Sequence, residues 1–209
     1  PGREGLEPVT DIIINEVLSH PAGDDVDAIE LYNTTAYPID IGGWFLSDSS
    51  NNFKKFRIPN GTIIAAGGYL VFDESDFNAS GGTAPNDFGL SGAHGDDVWL
   101  LAALADTTLV RFVDHVDFGA AAGGESFGRW PNAEGNFYPM ESVTLGGAND
   151  VPRIGPVVIS EVQYHPQGDE NAGWEYIELY NTSNTAIDLG NWLIRDGVNF
   201  LFAPGTVIG

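Results

Sequence analysis

The chain carries one phrase twice. "EVLSHPAGDDVDAIELYN" begins at Glu16, and "EVQYHPQGDENAGWEYIELYN" begins at Glu161. Ile12 to Asp24 runs onto Val157 to Asp169 at an offset of 157 − 12 = 145, and Ile29 to Asp48 runs onto Ile177 to Asp196 at 177 − 29 = 148. The three extra residues fall in an acidic stretch, "DDVD" against "DENAGWE", where a hairpin loop tolerates insertion. "FRIPNGTII" at 56–64 then pairs with "FLFAPGTVI" at 200–208, where the second copy stops. Self-similarity of this kind means two copies of one folding unit. The expected organisation is one module over 8–150, a linker at 151–156 and an incomplete second module over 157–209.

Twenty-seven Gly, twelve Pro and short Val/Ile/Phe/Tyr/Trp runs between turn residues describe an all-β chain. The run "VWLLAALADTTLV" at 98–110 could form a helix, but its β-branched and aromatic flanks and the "DTT" break favour strand and turn. Strands are predicted near 12–18, 28–33, 38–47, 53–58, 62–65, 69–73, 97–103, 109–118 and 126–130, with "SVTLGGANDVPRIGP" as terminal strand and linker. Many short strands separated by turn signals argue for a β-sandwich. Alternation puts Ile29 and Leu31 on the inner face of "AIELYN" and Glu30 and Tyr32 on the other. Gly42-Gly43 introduce a bend or bulge after Ile39 and Ile41. The expected core of the first module includes Ile14, Ile29, Leu31, Ile41, Trp44, Leu70, Phe72, Val98 and Leu100, and Trp192 takes the place of Trp44 in the second.

A net charge of −22 opposes binding to phosphate backbones. The one basic cluster, Lys54, Lys55 and Arg57, reads as the solvated side of a strand. Neither nucleic-acid binding nor membrane insertion is expected. The absence of Cys excludes disulfides, thiol catalysis and thiolate metal sites. A start at Pro1 reads as a piece of a longer polypeptide.

"IINEV", "DAIELYNTTAYPIDIGGWFLSD", "FRIPNGTIIAAGGYLVF", "GDDVWLL" and "GRWPNAEGNF" with "TLGGAND" together resemble the lamin tail domain as found in bacterial secreted proteins. "VVISEVQYHP" with "WEYIELYNTSNTAIDLGNWLIRDGVNFLFAPGTVIG" resembles the first half of another. The resemblance covers roughly 8–150 and 157–209. It implies an immunoglobulin-like β-sandwich in tandem, the second copy truncated, without catalytic activity of its own and often attached to enzymes or adhesive modules in large exported proteins. It implies a scaffold, adhesion or protein-interaction unit that meets a protein or cell-surface ligand, at the bacterial surface or outside the cell. In animal lamins the similar domain docks proteins and sometimes contacts nucleic acid.

The repeated phrase also admits chemistry. An acidic hydrolase of carbohydrate-active or phosphatase type would use Glu30 with Asp27 and Glu178 with Glu175, read here as exposed-face positions. A catalytic dyad repeated in tandem half-length modules would be unusual. His20, His94, His115 and His165 are too scattered for a zinc pattern, and His20 and His165, each followed by Pro, read as strand-end turns. Calcium suits the acidic loops better, because hard cations want several oxygens; the candidate ligands are Asp24, Asp25, Asp27, Asp169 and Glu170, with "SGAHGDDVWL" a weaker second place. The Asn-x-Ser/Thr sites at Asn33, Asn60, Asn78 and Asn181 read as turn chemistry, and "GAAAGGES" at 119–126 as a flexible connector. The long turn-rich stretch 77–95 is a candidate specificity loop. The apolar face of 157–209 lacks the later strands of the first copy, so burial against a second copy, a homodimer through this segment, is expected.

Overall fold

Apolar alternation within short turn-bounded runs leaves these strands one way to hide their inner faces, which is to stack as two sheets. A computed structural model describes residues 11–164, 175–194 and 197–209. The chain separates into two compact units, Pro1–Arg153 and Ile154–Gly209. Almost all regular structure is β, which makes the fold an immunoglobulin-like sandwich. Among the described residues no helix is long and apolar enough to cross a membrane.

In the first unit β1 (Ile12–Leu18), β2 (Ala28–Asn33), β7 (Tyr69–Asp73), β10 (Ser126–Trp130) and β11 (Asn136–Pro139) form a five-stranded sheet in the order β11-β10-β1-β2-β7. β4 (Phe45–Ser47), β5 (Phe56–Arg57), β8 (Asp96–Ala103) and β9 (Leu109–Phe118) form a four-stranded sheet in the order β5-β4-β8-β9. A small pair, β3 (Ile39–Asp40) with β6 (Ile63–Ile64), closes one end. The core lies between the two larger sheets. Ile14, Ile29, Leu31, Ile41, Phe72, Val98 and Leu100 are buried in it, and Trp44 and Leu70 pack against it half-buried.

Three local features depart from the strand pattern read from sequence. The run 38–47 is two strands, because the chain turns sharply at Gly42-Gly43 and passes from the small pair to the four-stranded sheet. Gly43 has φ 84°, and Trp44 N–H donates to the Ile41 carbonyl at 3.1 Å to close that turn. A side chain at Gly42 would strike the backbone of Gly61, its Cβ 2.5 Å from that nitrogen. One helical turn, α1 (Glu74–Phe77), follows β7 because Asp73 caps it, accepting from Ser75 N–H at 2.8 Å. β11 is too short to carry an alternation signal, and 141–156 holds no strand beyond one bridge, Met140 to Pro152. Arg153 N–H donates to the Pro139 carbonyl, so 151–153 belong with the first unit.

The long stretch 77–95 is anchored at both ends. Phe77 and Phe88 stack with centroids 4.6 Å apart, and both are buried together with Leu90. The 119–126 connector is tied down too: Ala121 N–H donates to the Gly92 carbonyl and Gly124 N–H to that of His20.

The second unit repeats the first in register. β12 (Val157–Gln163) pairs β13 (Tyr176–Asn181), β14 (Ile187–Asp188) pairs β17 (Val207–Ile208), and β15 (Leu193–Ile194) pairs β16 (Phe200–Leu201). Each pairing reproduces its counterpart, Ile187 opposite Ile208 as Ile39 is opposite Ile64. Asn33 and Asn181 show how deep the repetition goes: each is buried, and each donates from Nδ2 to carbonyls of its own unit, Tyr37 and Ile64 in one and Thr185 and Ile208 in the other. Their role is to hold a turn, in keeping with the turn chemistry read from their tripeptides.

At many equivalent apolar positions the two units differ in burial. Ile14 is fully buried, whereas its equivalent Ile159 is 55% exposed. Ile14→Ala should therefore cost about 2–5 kcal/mol in urea unfolding of the first unit, and Ile159→Ala no more than about 0.5 kcal/mol. Equal costs at the two sites would contradict this arrangement.

Candidate functional site

Two titratable groups from the first copy of the repeated phrase, Glu16 and Glu30, meet on the outer face of the five-stranded sheet, and a β-bulge puts them there. The β1–β2 register shifts between Ile14 and Glu16, leaving Asn15 as the extra residue. Ile12, Ile14 and Val17 consequently all reach the core, while Asn15 and Glu16 both lie opposite to it. The bulge also releases the backbone of Ile14 from the ladder. Its N–H donates to Asp114 Oδ2 at 2.7 Å and its carbonyl accepts from Arg129 Nε at 2.8 Å. Arg129 and Asp114 are themselves joined by two hydrogen bonds of 2.8 and 3.0 Å, a fork that links β10 to β9 across the sandwich.

Glu30 was expected on an exposed face. It is fully buried, as is Glu16, because residues 132–149 fold back over the sheet and cover both. Glu16 Oε1 accepts from Ser126 Oγ at 2.6 Å and from Thr144 N–H at 2.9 Å, and Oε2 from Thr144 Oγ1 at 2.8 Å. Glu30 Oε1 accepts from Asn15 Nδ2 at 2.8 Å, and Oε2 from Gly146 N–H. Asn149 completes the latch, donating from Nδ2 to the carbonyls of Asn15 and Arg129 at 2.9 and 3.0 Å. It approaches so closely that a Cβ on Gly128 would lie 2.7 Å from that nitrogen. Asn132 extends the network, donating from Nδ2 to Tyr69 Oη at 3.0 Å. Every carboxylate oxygen of the pair is engaged by a protein donor, and the cover leaves no approach for a substrate.

Burial pushes the Glu30 carboxyl up to about 7, with neighbouring Glu16 adding to the rise and the hydrogen bonds from Asn15 and Gly146 opposing it. Asp27 is raised to about 6, again chiefly by burial, with Glu74 and Asp96 adding to the rise; it accepts from Leu90 N–H at 2.7 Å and so fastens the loop before β8.

The calcium candidates are distributed differently from the single acidic loop read in the sequence. Asp24 and Asp25 are exposed on the β1–β2 loop, Asp27 is buried and engaged with Leu90, and Asp169 and Glu170 lie outside the described residues. Among the described residues no three His, Asp or Glu side chains are grouped closely enough to hold a metal ion. In the weaker candidate, Asp96 caps its own turn, accepting from Ser91 N–H at 2.9 Å. His20 donates from its ring Nδ1 to the Ala121 carbonyl at 2.9 Å, and His115 stacks on Trp99 at 3.6 Å. His165 lies outside the described residues. Of the basic cluster, Lys54 and Arg57 are exposed as expected, Arg57 also donating to the Ala105 carbonyl, whereas Lys55 is half-buried and pairs with Asp48.

Sequence reading missed the Asp114–Arg129 fork and the latch residues Ser126, Asn132, Thr144, Gly146 and Asn149. The one available signal was "TLGGAND", a polar, glycine-rich run in which backbone amides can approach a carboxylate closely.

A raised carboxyl pKa fixes the sign of a pH effect. The unfolded chain ionises Glu30 near the ordinary glutamate value of 4.5 and the folded chain near 7. The contribution of this group is therefore present in full below pH 4.5 and is lost as pH rises through 7. The stability of the first unit should fall over that interval, and Glu30→Gln should flatten the fall relative to the parent chain in urea titrations at several pH values. An unchanged slope in the variant would show that Glu30 is not the group responsible.

With the geometry established, the chain can be set beside known proteins. A family profile described as Lamin Tail Domain matches residues 7–119 and 151–209. No curated protein and no solved structure matches the chain. The profile falls on both copies of the repeat and on the bulged hairpins that open each unit. The chain therefore belongs to the lamin tail domain family, a family of non-catalytic immunoglobulin-like modules.

Proposed function

We propose that the chain is a non-catalytic scaffold of an exported bacterial protein, a protein-interaction or adhesion module working at the cell surface or outside the cell. The observation that carries this reading is the closed state of the carboxylates in the complete first copy, Glu16 and Glu30. A general acid or base has to reach a proton on a substrate, whereas Glu16 and Glu30 spend their oxygens on Ser126, Thr144, Asn15 and Gly146 beneath a folded cover. Family membership supports the same reading. The net charge of −22 disfavours nucleic-acid partners and leaves a protein or cell-surface ligand.

The purified chain should turn over neither chromogenic glycosides nor phosphate esters above background. Hydrolysis abolished by Glu30→Gln and Glu178→Gln together, with melting temperature retained, would establish the acidic hydrolase instead.

We also propose calcium as a ligand of the β1–β2 loop, where the exposed carboxylates of Asp24 and Asp25 would act together with backbone carbonyls rather than as a cluster of three acidic side chains. A cation that binds only the folded form raises the melting temperature by mass action. Millimolar calcium should do so, and magnesium less, because Mg²⁺ sheds its water reluctantly. Equal shifts from magnesium, or from sodium chloride at matched ionic strength, would reduce the effect to screening.

A further inference from the structure

The second unit reproduces the first hairpin by hairpin, including its bulge, which falls between Ile159 and Glu161 as the other falls between Ile14 and Glu16. In the first unit the β1–β2 and β4–β5 pairs are continued by further strands. β7 lies on β2 with Leu31 opposite Leu70, β10 lies on β1 with Val17 opposite Phe127, and β8 lies on β4 with Leu46 opposite Leu100. Among the described residues nothing pairs with the corresponding edges of β13, β12 and β15.

The face behind those edges is apolar and open. A groove of about 630 Å³ is lined by Ile177, Leu179, Ile194, Phe200 and Phe202 among others. Their counterparts Ile29, Leu31, Leu46 and Ile58 are buried core residues of the first unit, and Phe56 packs against that core. Val162 is 52% exposed where Val17 is fully buried. The latch carboxylates are present as well, without their cover. Glu178 accepts from Ser160 Oγ at 2.6 Å and Glu161 from Tyr176 Oη at 2.7 Å, and both glutamates are exposed. In the first unit the same two positions are met by Ser126, Thr144 and Gly146.

We propose that this face is a docking surface for a polypeptide segment with the chemistry of residues 66–153 of this chain. The segment would bring an alternating strand like "YLVF" to the edge of β13, a strand like "DVWLL" to β15 and a strand like "SFGRW" to β12. It would also bring a Thr/Gly/Asn run whose hydroxyl and amide donors close over Glu161 and Glu178. Main-chain pairing supplies affinity in such strand addition, and the side-chain pattern supplies selectivity. The charges decide between this occupant and a second copy of the same face. Two copies paired β13 to β13 would bring the Glu178 carboxylates of both to one seam, with Glu161 on the neighbouring strand, and the hydroxyl donors of that face, Ser160 and Tyr176, already donate to each copy's own glutamates. Like charges set opposite each other destabilise a strand pair. The strands that could supply donors, β7, β8 and β10, are already committed to β2, β4 and β1 of the first unit.

This assignment names the partner of one face and rests on reading the chain as a protein-binding module. The test is amide hydrogen exchange on the full chain and on the same chain with a second copy of residues 66–153 appended after Gly209. Gly209 stands where Ala65 stands in the first copy, so the appended segment begins in register. Amides of β12 and β13 should exchange at least about tenfold more slowly in the extended chain. Ile177→Asp with Leu179→Asp should restore the parent rates while leaving exchange in the first unit unchanged. Parent-like exchange of β13 in the extended chain overturns the proposal. So does a parent chain that dimerises, with β13 protected, and stays dimeric when the segment is appended, because the occupant is then a second copy. Neither failure touches the non-catalytic reading, which falls only to hydrolytic turnover.

Discussion

The first unit depends on one inserted residue. Without the bulge at Asn15, a strict period of two would carry Val17 to the outer face once Ile14 pointed inward. With it, Ile12, Ile14 and Val17 all enter the core, and Asn15 and Glu16 are set side by side over Glu30. The cost is a pair of backbone groups at Ile14 left out of the ladder, which is serious in a buried strand. Asp114 and Arg129 resolve it with their side chains and, in doing so, tie the two sheets together.

The same bulge obliges the cover. Two carboxylates buried side by side are strongly unfavourable unless every oxygen finds a donor. Ser126, Thr144, Gly146 and Asn15 are those donors, and Asn149 and Asn132 hold the covering segment in place. Perturbed carboxyls often mark active sites. Here the raised pKa of Glu30 has a structural cause, since burial under a loop produces it and the loop that produces it also denies access.

The second unit separates local from non-local determinants. Its strand pairs reach the same registers as those of the first, down to the bulge and the buried Asn181, because the alternation within the strands themselves specifies the register even where the β12–β13 connection is three residues longer. Asn191 even takes the left-handed turn position of Gly43, at φ 67° against 84°. Among the described residues the covering strands are what differs, and with them the burial of most shared apolar positions, although Leu189 stays buried like its equivalent Ile41.

The sequence by itself determined the repeat, its offsets, the all-β class and most of the inner face, because a period of two between turn residues is a local signal that needs no partner to be read. Ile29, Leu31, Ile41, Val98 and Leu100 all lie where that signal places them. The tertiary structure decided what became of the outer face. Glu30 and Glu178 occupy equivalent positions in identical "IELYN" strands, yet one is fully buried and the other exposed. No local pattern distinguishes them. The difference is made by a segment whose Gly146 amide reaches Glu30 from 116 residues away in the chain. Alternation states which residues share a face, whereas burial of that face depends on contacts between residues distant in sequence.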